Sequence, residues 1–582
     1  MKSLLVYLKD YKKESILGPL FKLLEASFEL FVPLVMAAII DNGIGNQDSF
    51  YIIKMCFIMI LLGIIGLICS ITAQYFAAKA SVGFATKLRH SLFSHIQGFS
   101  FSDMDTLGNS TLITRMTSDI NQVQSGVNLV LRLFLRSPFV VFGAMIMAFT
   151  INREAAYIFV CAIPFLSLVV FGIMLFNIPL FRKVQMNLDR VLGITRENLT
   201  GVRVIRAFNK EQEERQQFEN YNKALTKIQM FAGRISALMN PFTYVIVNAA
   251  IIALIWKGAI QVNLGIITRG EVVALVNYMS QILVELVKLA NLIITVTKAL
   301  ACAKRIETIF EVESSEKNID LLSDSLENEV HSETENYITF SHVGFRYKGA
   351  SEEALTDISF EVKRGQTIGI IGGTGSGKSS LVHLLPRFYE VTNGEIILDG
   401  RKLSDYSLAE LRAKIGIVMQ KAVLFKGTIR ENVCWGKKEA TDKEMEEALT
   451  ISQAKEFVDG KKEGMEFKLE QGGRNLSGGQ RQRLTIARAL IKKPEILILD
   501  DSASALDFAT DAKLRHSIRT MKERPTIFIV SQRAASIQSA DQILVLEDGK
   551  LVGVGNHDKL LKECLVYQEI YYSQFPKEEV TA

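Results

Sequence analysis

The chain is 582 residues long, more than one hydrophobic core organises, so two to four domains are expected. Hydrophobic residues make up 48% of it against 22% charged ones, and a formal net charge of +5 is too small for this length to argue for a nucleic-acid partner. Six cysteines, at positions 56, 69, 161, 302, 434 and 564, stand singly with no Cys-x-x-Cys pair, which argues against a disulfide framework or a zinc site.

The first residues carry Lys2, Lys9, Lys12 and Lys13, and no small-residue cleavage site follows the first apolar run, so they read as a retained cytoplasmic flank. Six apolar stretches follow, at about 16–40, 51–76, 129–150, 155–178, 241–262 and 271–297. Each is about long enough to cross a hydrocarbon layer of roughly 30 Å at about 1.5 Å per residue. The run from Cys56 to Ile68 holds no charged residue at all, as a membrane span requires.

The connections between these stretches are unequal. Those at 41–50, 151–154 and 263–270 are short and hold only Arg153 and Arg269 as basic residues. The two long ones carry Lys79, Lys87, Arg89 and Arg115, then Arg182, Lys183, Arg190, Arg196, Arg203 and Arg206. Basic connections stay on the cytoplasmic side, which predicts a multi-pass protein of the cell membrane with both termini in the cytoplasm. The absence of proline from Tyr51 to Ile96 predicts that the second span continues as helix beyond the membrane, and the same continuation is predicted over 181–240.

Polar residues inside spans are costly unless they face partners or water. Lys22, Glu25 and Glu29 share one helical face, as do Asn277, Gln281, Glu285, Lys288 and Asn291. One reading is a water-filled cavity for substrate, lined by Glu29, Asn277, Gln281 and Glu285. The other is mutual neutralisation, of Lys22 by Glu25 and of Glu285 by Lys288. On charge alone, Glu25, Glu29 and Glu285 point to cationic amphiphiles as cargo.

Between Glu311 and Glu335 there are nine acidic residues and one lysine, the composition of a solvated linker, placed at 311–336 between a membrane domain at 1–310 and a second domain at 337–582. From Tyr337 short β-branched runs alternate with helical stretches, as in an α/β domain with a largely parallel sheet. Within it, Gly372-Gly373-Thr374-Gly375-Ser376-Gly377-Lys378-Ser379 follows a predicted strand and precedes a predicted helix that opens at Ser380. This is the setting of a P-loop, whose inward N–H groups and lysine hold a polyphosphate while its serine holds Mg²⁺. Four apolar residues ending in Asp500 read as a buried strand that delivers a carboxylate to the same Mg²⁺. Ser477, Gly478 and Gly479 open a long helical run and make a second anion-binding helix start.

Taken together, the P-loop, Gln420, Leu476-Ser477-Gly478-Gly479-Gln480, Ile496 to Asp500 and Ser504 to Asp507 resemble the nucleotide-binding domain of ATP-binding cassette (ABC) transporters. The six spans with long cytoplasmic extensions, and the segment Glu197 to Phe208, resemble the exporter type. The resemblance implies ATP and Mg²⁺ as ligands. It puts Tyr347 against adenine, Gly372 to Ser380 around the phosphates, and Ser379, Gln420 and Asp500 on the metal. It also implies a head-to-tail dimer in which Ser477, Gly478, Gly479 and Gln480 act on the partner's ATP.

Two positions depart from the family pattern. Asp501 stands where a glutamate general base is usual, and Gln532 where a histidine is usual. Aspartate is shorter by about 1.5 Å, and a misplacement of about 1 Å costs around a hundredfold in rate. Glutamine cannot carry a proton near neutral pH. Leu469-Glu470-Gln471-Gly472-Gly473 departs as well, at the segment the family places on the inter-subunit contact. The pattern resembles the degenerate-site subunit of heterodimeric multidrug exporters. It predicts an ATP-driven exporter half that moves small amphiphilic molecules across the bilayer with a different partner chain. A lipid flippase and a non-pumping, ATP-gated regulatory membrane protein are the competing readings.

Overall fold

The computed structural model describes residues 4–312 and 336–575. The acidic stretch read as a linker therefore lies outside the described residues except at its ends. Two compact units form. One comprises the residues up to Ser94 together with Ser110–Val312, and the other His95–Asn109 together with the residues from 336 onward.

The first unit is helical: α1 (Lys12–Ala38), α2 (Ser49–Gln97, whose last turn falls in the second unit), α4 (Asn109–Thr114), α5 (Ile120–Leu133), α6 (Arg136–Ile151), α7 (Arg153–Thr200), α8 (Val202–Ala207), α9 (Glu211–Ala237), α10 (Met239–Asn263) and α11 (Arg269–Phe310). Among the described residues, six helical stretches are long and apolar enough to cross a membrane. Their starts are set by side chains. Asn152 accepts the Ala155 N–H to open α7, and Thr268 with Glu271 forms a capping box on α11. Alanines 26, 144, 148, 155, 156 and 274 are fully buried where the helices meet, because small residues let backbones approach closely. Phe57, Ile60, Ile64, Leu67, Ile68 and Ile71 of α2 stay exposed, a surface suited to lipid and not to water.

As predicted, α2 continues unbroken, over 49 residues. The predicted continuity over 181–240 does not hold. Helix α7 ends at Thr200, α8 spans Val202–Ala207 and α9 begins at Glu211. Gly201, with φ −89° and ψ 10°, leaves the helical geometry, and Asn209 turns the chain through φ +53°, which asparagine tolerates better than most residues. The third span is interrupted as well, between Leu133 and Arg136, where α5 hands over to α6.

In the second unit a six-stranded sheet runs in the order β12 (Lys550–Gly555), β11 (Gln542–Glu547), β3 (Thr367–Gly372), β10 (Thr526–Val530), β9 (Ile496–Asp500) and β6 (Ile415–Val418). All neighbours are parallel except β12 with β11. Strands β3, β9 and β10 are buried at every residue, which explains their unbroken apolar runs. A second, antiparallel sheet orders β2 (Leu355–Val362), β1 (Ile338–Phe345), β4 (Asn393–Leu398) and β5 (Arg401–Lys402), and one apolar core joins its inner face to the parallel sheet. The short helix α3 (Phe101–Leu107) also belongs to this unit. Phe101 stacks on Phe388 at 4.3 Å, and Tyr389 donates to Asp105 at 2.7 Å.

Candidate functional site

The C-terminal ends of three adjacent parallel strands converge on the P-loop. It leaves β3; Asp500 ends β9; Ser531 and Gln532 leave β10, which runs between them. Register holds the three ends level, with Val530 opposite both Asp500 and Ile370. In such a sheet a ligand sits beyond the carboxyl ends of the strands.

The P-loop is built for an anion. Gly375 and Gly377 take φ of +85° and +91°, conformations costly for other residues. A Cβ on Gly373 or Gly375 would meet nothing within 4 Å, so both border open space that a polyphosphate can fill. Lys378 lies buried beneath, its Nζ donating to the carbonyl oxygens of Gly372 at 3.0 Å and Gly373 at 2.5 Å and to Ser376 Oγ at 3.3 Å. Burial pushes its ammonium below the ordinary lysine value, against the pull of Asp501 and Asp500. A phosphate beside it favours the charged form. Thr374 is exposed at the loop tip, and Ser380 is buried with its Oγ 2.9 Å from the Tyr347 hydroxyl. Tyr347 stands edge-on to Phe345 and Tyr389, with ring centres at 4.6 and 5.1 Å.

Ser379 Oγ donates to Asp500 Oδ1 at 2.9 Å, which brings together two hard oxygens of the kind Mg²⁺ takes beside phosphate. No group of three His, Cys, Asp or Glu side chains able to hold a metal occurs among the described residues. A pair is nonetheless enough for a magnesium that arrives with a nucleotide, because Mg²⁺ there uses one or two protein oxygens and fills its other positions with phosphate and water. His383, which sequence reasoning passed over, lies with Nε2 3.3 Å from Asp500 Oδ2. It stands five residues after Lys378, one helical turn or so further on.

Gln420 donates from Nε2 to Asp501 Oδ2 at 3.3 Å, so the first of the two unusual positions touches the glutamine expected at the metal. Asp501 is half-buried in the left-handed region, at φ +44°. Burial, with Asp500 adding, pushes its carboxyl above the ordinary value, while the Gln420 bond and Lys378 oppose this. Gln532 is exposed. Its carbonyl accepts from Gln574 Nε2 at 2.8 Å, and Gln574 Oε1 accepts the Ala534 N–H at 2.8 Å. A residue near the C-terminal end of the described chain thus braces the loop that presents Gln532. Nothing local in the sequence signals this.

Ser477 is the N-cap of the helix Gly478–Leu490, in a reciprocal capping box with Gln480. Ser477 and Gly478 are exposed and Gly479 and Gln480 partly so, which leaves an open helix start. The departing segment 469–473 turns through Gly472 and Gly473 at φ +73° and +63°. Arg481 ties it to that helix start, donating to Gly473 O at 3.4 Å and to Leu476 O at 2.6 Å.

In the membrane unit Glu29, Asn277, Gln281 and Glu285 line one cavity of about 430 Å³, together with Lys288. Lys22 is not among the lining residues: its Nζ lies 2.5 Å from Glu25 and 3.2 Å from Ser70 Oγ, the neutralised alternative. Sequence reasoning missed Arg136. Its guanidinium donates to Glu285 and, at 2.6 Å, to Glu29. The signal was an arginine inside an apolar run, whose partners 107 and 149 residues away only folding reveals.

Comparison with known proteins agrees with this architecture. The ABC transporter transmembrane region matches residues 15–286, and the ABC transporter ATPase family matches 355–504. The chain is 37% identical over 578 residues to an uncharacterised ABC transporter ATP-binding protein, YfiB, of Bacillus subtilis, covering 99% of both. It is 36% identical to the uncharacterised Rv1273c of Mycobacterium tuberculosis, over 98% of this chain and 97% of that one. To an ATP-dependent lipid A-core flippase of Yersinia pestis it is 27% identical, over 98% and 96%. Its fold matches a bacterial Atm1-family ABC exporter solved with ATP bound, at a TM-score of 0.78 and 22% identity, over 97% of this chain and 98% of that one. With six apolar helices among the described residues followed by an α/β transport ATPase, this chain belongs to the ABC transporter family and has the fold of an exporter half-transporter.

Proposed function

We propose that the chain is the degenerate-site half of a heterodimeric exporter that moves small amphiphilic molecules out across the cell membrane, with both termini in the cytoplasm. The observation that carries the reading is the pair Asp501 and Gln532, which leave neighbouring strands β9 and β10 at the end of the same sheet as an intact P-loop. Lys378 and the loop glycines hold the phosphates, Ser379 and Asp500 hold Mg²⁺, and Tyr347 holds the base. Mg²⁺, when bound, neutralises charge on the phosphates. Asp501 does not place a water efficiently and Gln532 does not supply a cationic contact, so nucleotide at this site persists. Ser477, Gly478, Gly479 and Gln480 complete the competent site on the partner chain. ATP favours the closed arrangement because the exposed start of the helix Gly478–Leu490 meets phosphate only there.

The test is to purify the transporter as it assembles in the native membrane. A second, different half-transporter co-purifying in equal amount is expected, with glutamate and histidine at its equivalents of 501 and 532, together with ATP-dependent accumulation of an amphiphile in inside-out vesicles. A homodimer with full activity sinks the reading. Lipid flipping is the second reading, favoured by the likeness to the lipid A-core flippase, and ATP-dependent movement of a labelled lipid in proteoliposomes tests it.

A further inference from the structure

The charges around the membrane-unit cavity form an alternating chain across three helices. Glu29 on α1 accepts from Arg136 on α6, Arg136 donates also to Glu285 on α11, and Lys288 donates to Glu285 at 2.8 Å. The four charges sum to zero. The two inner members are closed off: Arg136 and Glu285 have side chains 6% and 4% exposed, and the second oxygen of Glu285 accepts from Ser137 at 2.9 Å. The two outer members are open. Glu29 and Lys288 are each 42% exposed, and both line the cavity. The open ends therefore have opposite sign, and Val32, Pro33, Met36 and Val140 supply apolar wall beside them.

A cation bound here satisfies Glu29 but faces the ammonium of Lys288, and an anion meets the converse problem. In a cavity within the membrane such an unmatched charge is costly. A ligand carrying both charges matches both ends. We propose that the cavity is a subsite for a zwitterionic amphiphile, with its cationic group at Glu29, its anionic group at Lys288 and its apolar part along Val32, Pro33, Met36 and Val140. This rests on the export reading and narrows its cargo. Of the three carboxylates that point to cationic cargo, Glu25 is neutralised by Lys22 and Glu285 is saturated, which leaves Glu29 as the open one.

The test titrates an alkylphosphocholine, an alkyltrimethylammonium and an alkyl phosphate of equal chain length into the assembled transporter in nanodiscs without nucleotide, reading thermal stabilisation. The phosphocholine is expected to half-saturate at about a tenfold lower concentration than either compound that bears charge of one sign only. Glu29→Gln is expected to erase its advantage over the alkyl phosphate, and Lys288→Gln its advantage over the ammonium, with Lys288→Arg restoring it. Equal or tighter binding of the ammonium by the unaltered protein, or a Lys288→Gln variant that stays folded and keeps the same preference, overturns the proposal. Because binding is read without nucleotide, loss of ATP-dependent transport with the preference intact removes the export reading and not the subsite. In proteoliposomes with ATP, movement of a labelled diacyl phosphocholine lipid identifies the bilayer as the source. Movement of only the single-chain compound identifies a dissolved amphiphile, and movement of only the ammonium compound refutes the zwitterion.

Discussion

Replacing Asp501 by asparagine separates a resident nucleotide from a turning-over one. Asparagine tolerates the left-handed backbone at φ +44° as aspartate does, and its amide oxygen accepts the 3.3 Å bond from Gln420, so the fold and the local contact survive. Only the negative charge and the ability to take a proton are lost. Removing a working general base costs about 10²–10⁴ in rate, or roughly 3–5 kcal/mol of barrier. Removing a carboxylate that already stands about 1.5 Å short forfeits little, since about 1 Å of misplacement already costs near a hundredfold. Phosphate release by the assembled transporter is therefore expected to fall less than about twofold, roughly 0.4 kcal/mol. In the proposed heterodimer, the equivalent substitution of a partner glutamate is expected to abolish it. A hundredfold loss from Asp501→Asn refutes the reasoning and makes this P-loop a hydrolytic site.

Ser477→Ala removes the cap of the helix Gly478–Leu490 and is expected to lower stability by about 1 kcal/mol, read by thermal unfolding. Ser477→Asp keeps a cap but sets a negative charge against phosphate, so it is expected to remain stable and lose most ATPase; full activity there removes Ser477 from the nucleotide site. Arg136→Met strands Glu29 and leaves Glu285 with Lys288 and Ser137 only. A loss of about 3 kcal/mol in detergent-solubilised unfolding is expected, the low end for a broken buried pair. Unchanged stability of the variant contradicts this. Glu444 accepts from Lys437 at 2.6 Å and from the Thr441 N–H at 3.0 Å, which holds its carboxyl down to about 2 against an ordinary 4.5. A depressed folded value contributes stability above pH 4.5 that is lost as pH falls toward 2, so the melting difference between the unaltered protein and Glu444→Gln is expected to shrink over that range. A constant difference rejects the assignment.

What sequence revealed and what it hid divides along the range of the interactions. The spans were legible because insertion depends on a local sum of hydrophobicity, and the P-loop because its glycines, lysine and serine act within nine residues of one another. The ends of Asp500 and Gln532 beside it followed from strand runs that burial makes uniformly apolar. The partners of Arg136 lie on other helices, and periodicity along one helix carries no information about them. The same limit hid Gln574 behind Gln532 and Gln420 beside Asp501. The break at Gly201 is a different failure. Flanking residues keep helical spacing, so a single glycine and a left-handed Asn209 outweighed a pattern that extended on both sides.

Helix α3 has a consequence for how this protein can be cut and made. It is encoded between two membrane helices, yet it stacks Phe101 on Phe388 and accepts the Tyr389 hydroxyl 284 positions away. A recombinant fragment begun after the linker leaves those aromatic rings bare to water and favours self-association, so a soluble preparation of the ATPase is best sought with a tethered copy of residues 95–109. During synthesis the order is reversed. The docking helix leaves the ribosome first and waits for the domain that will receive it.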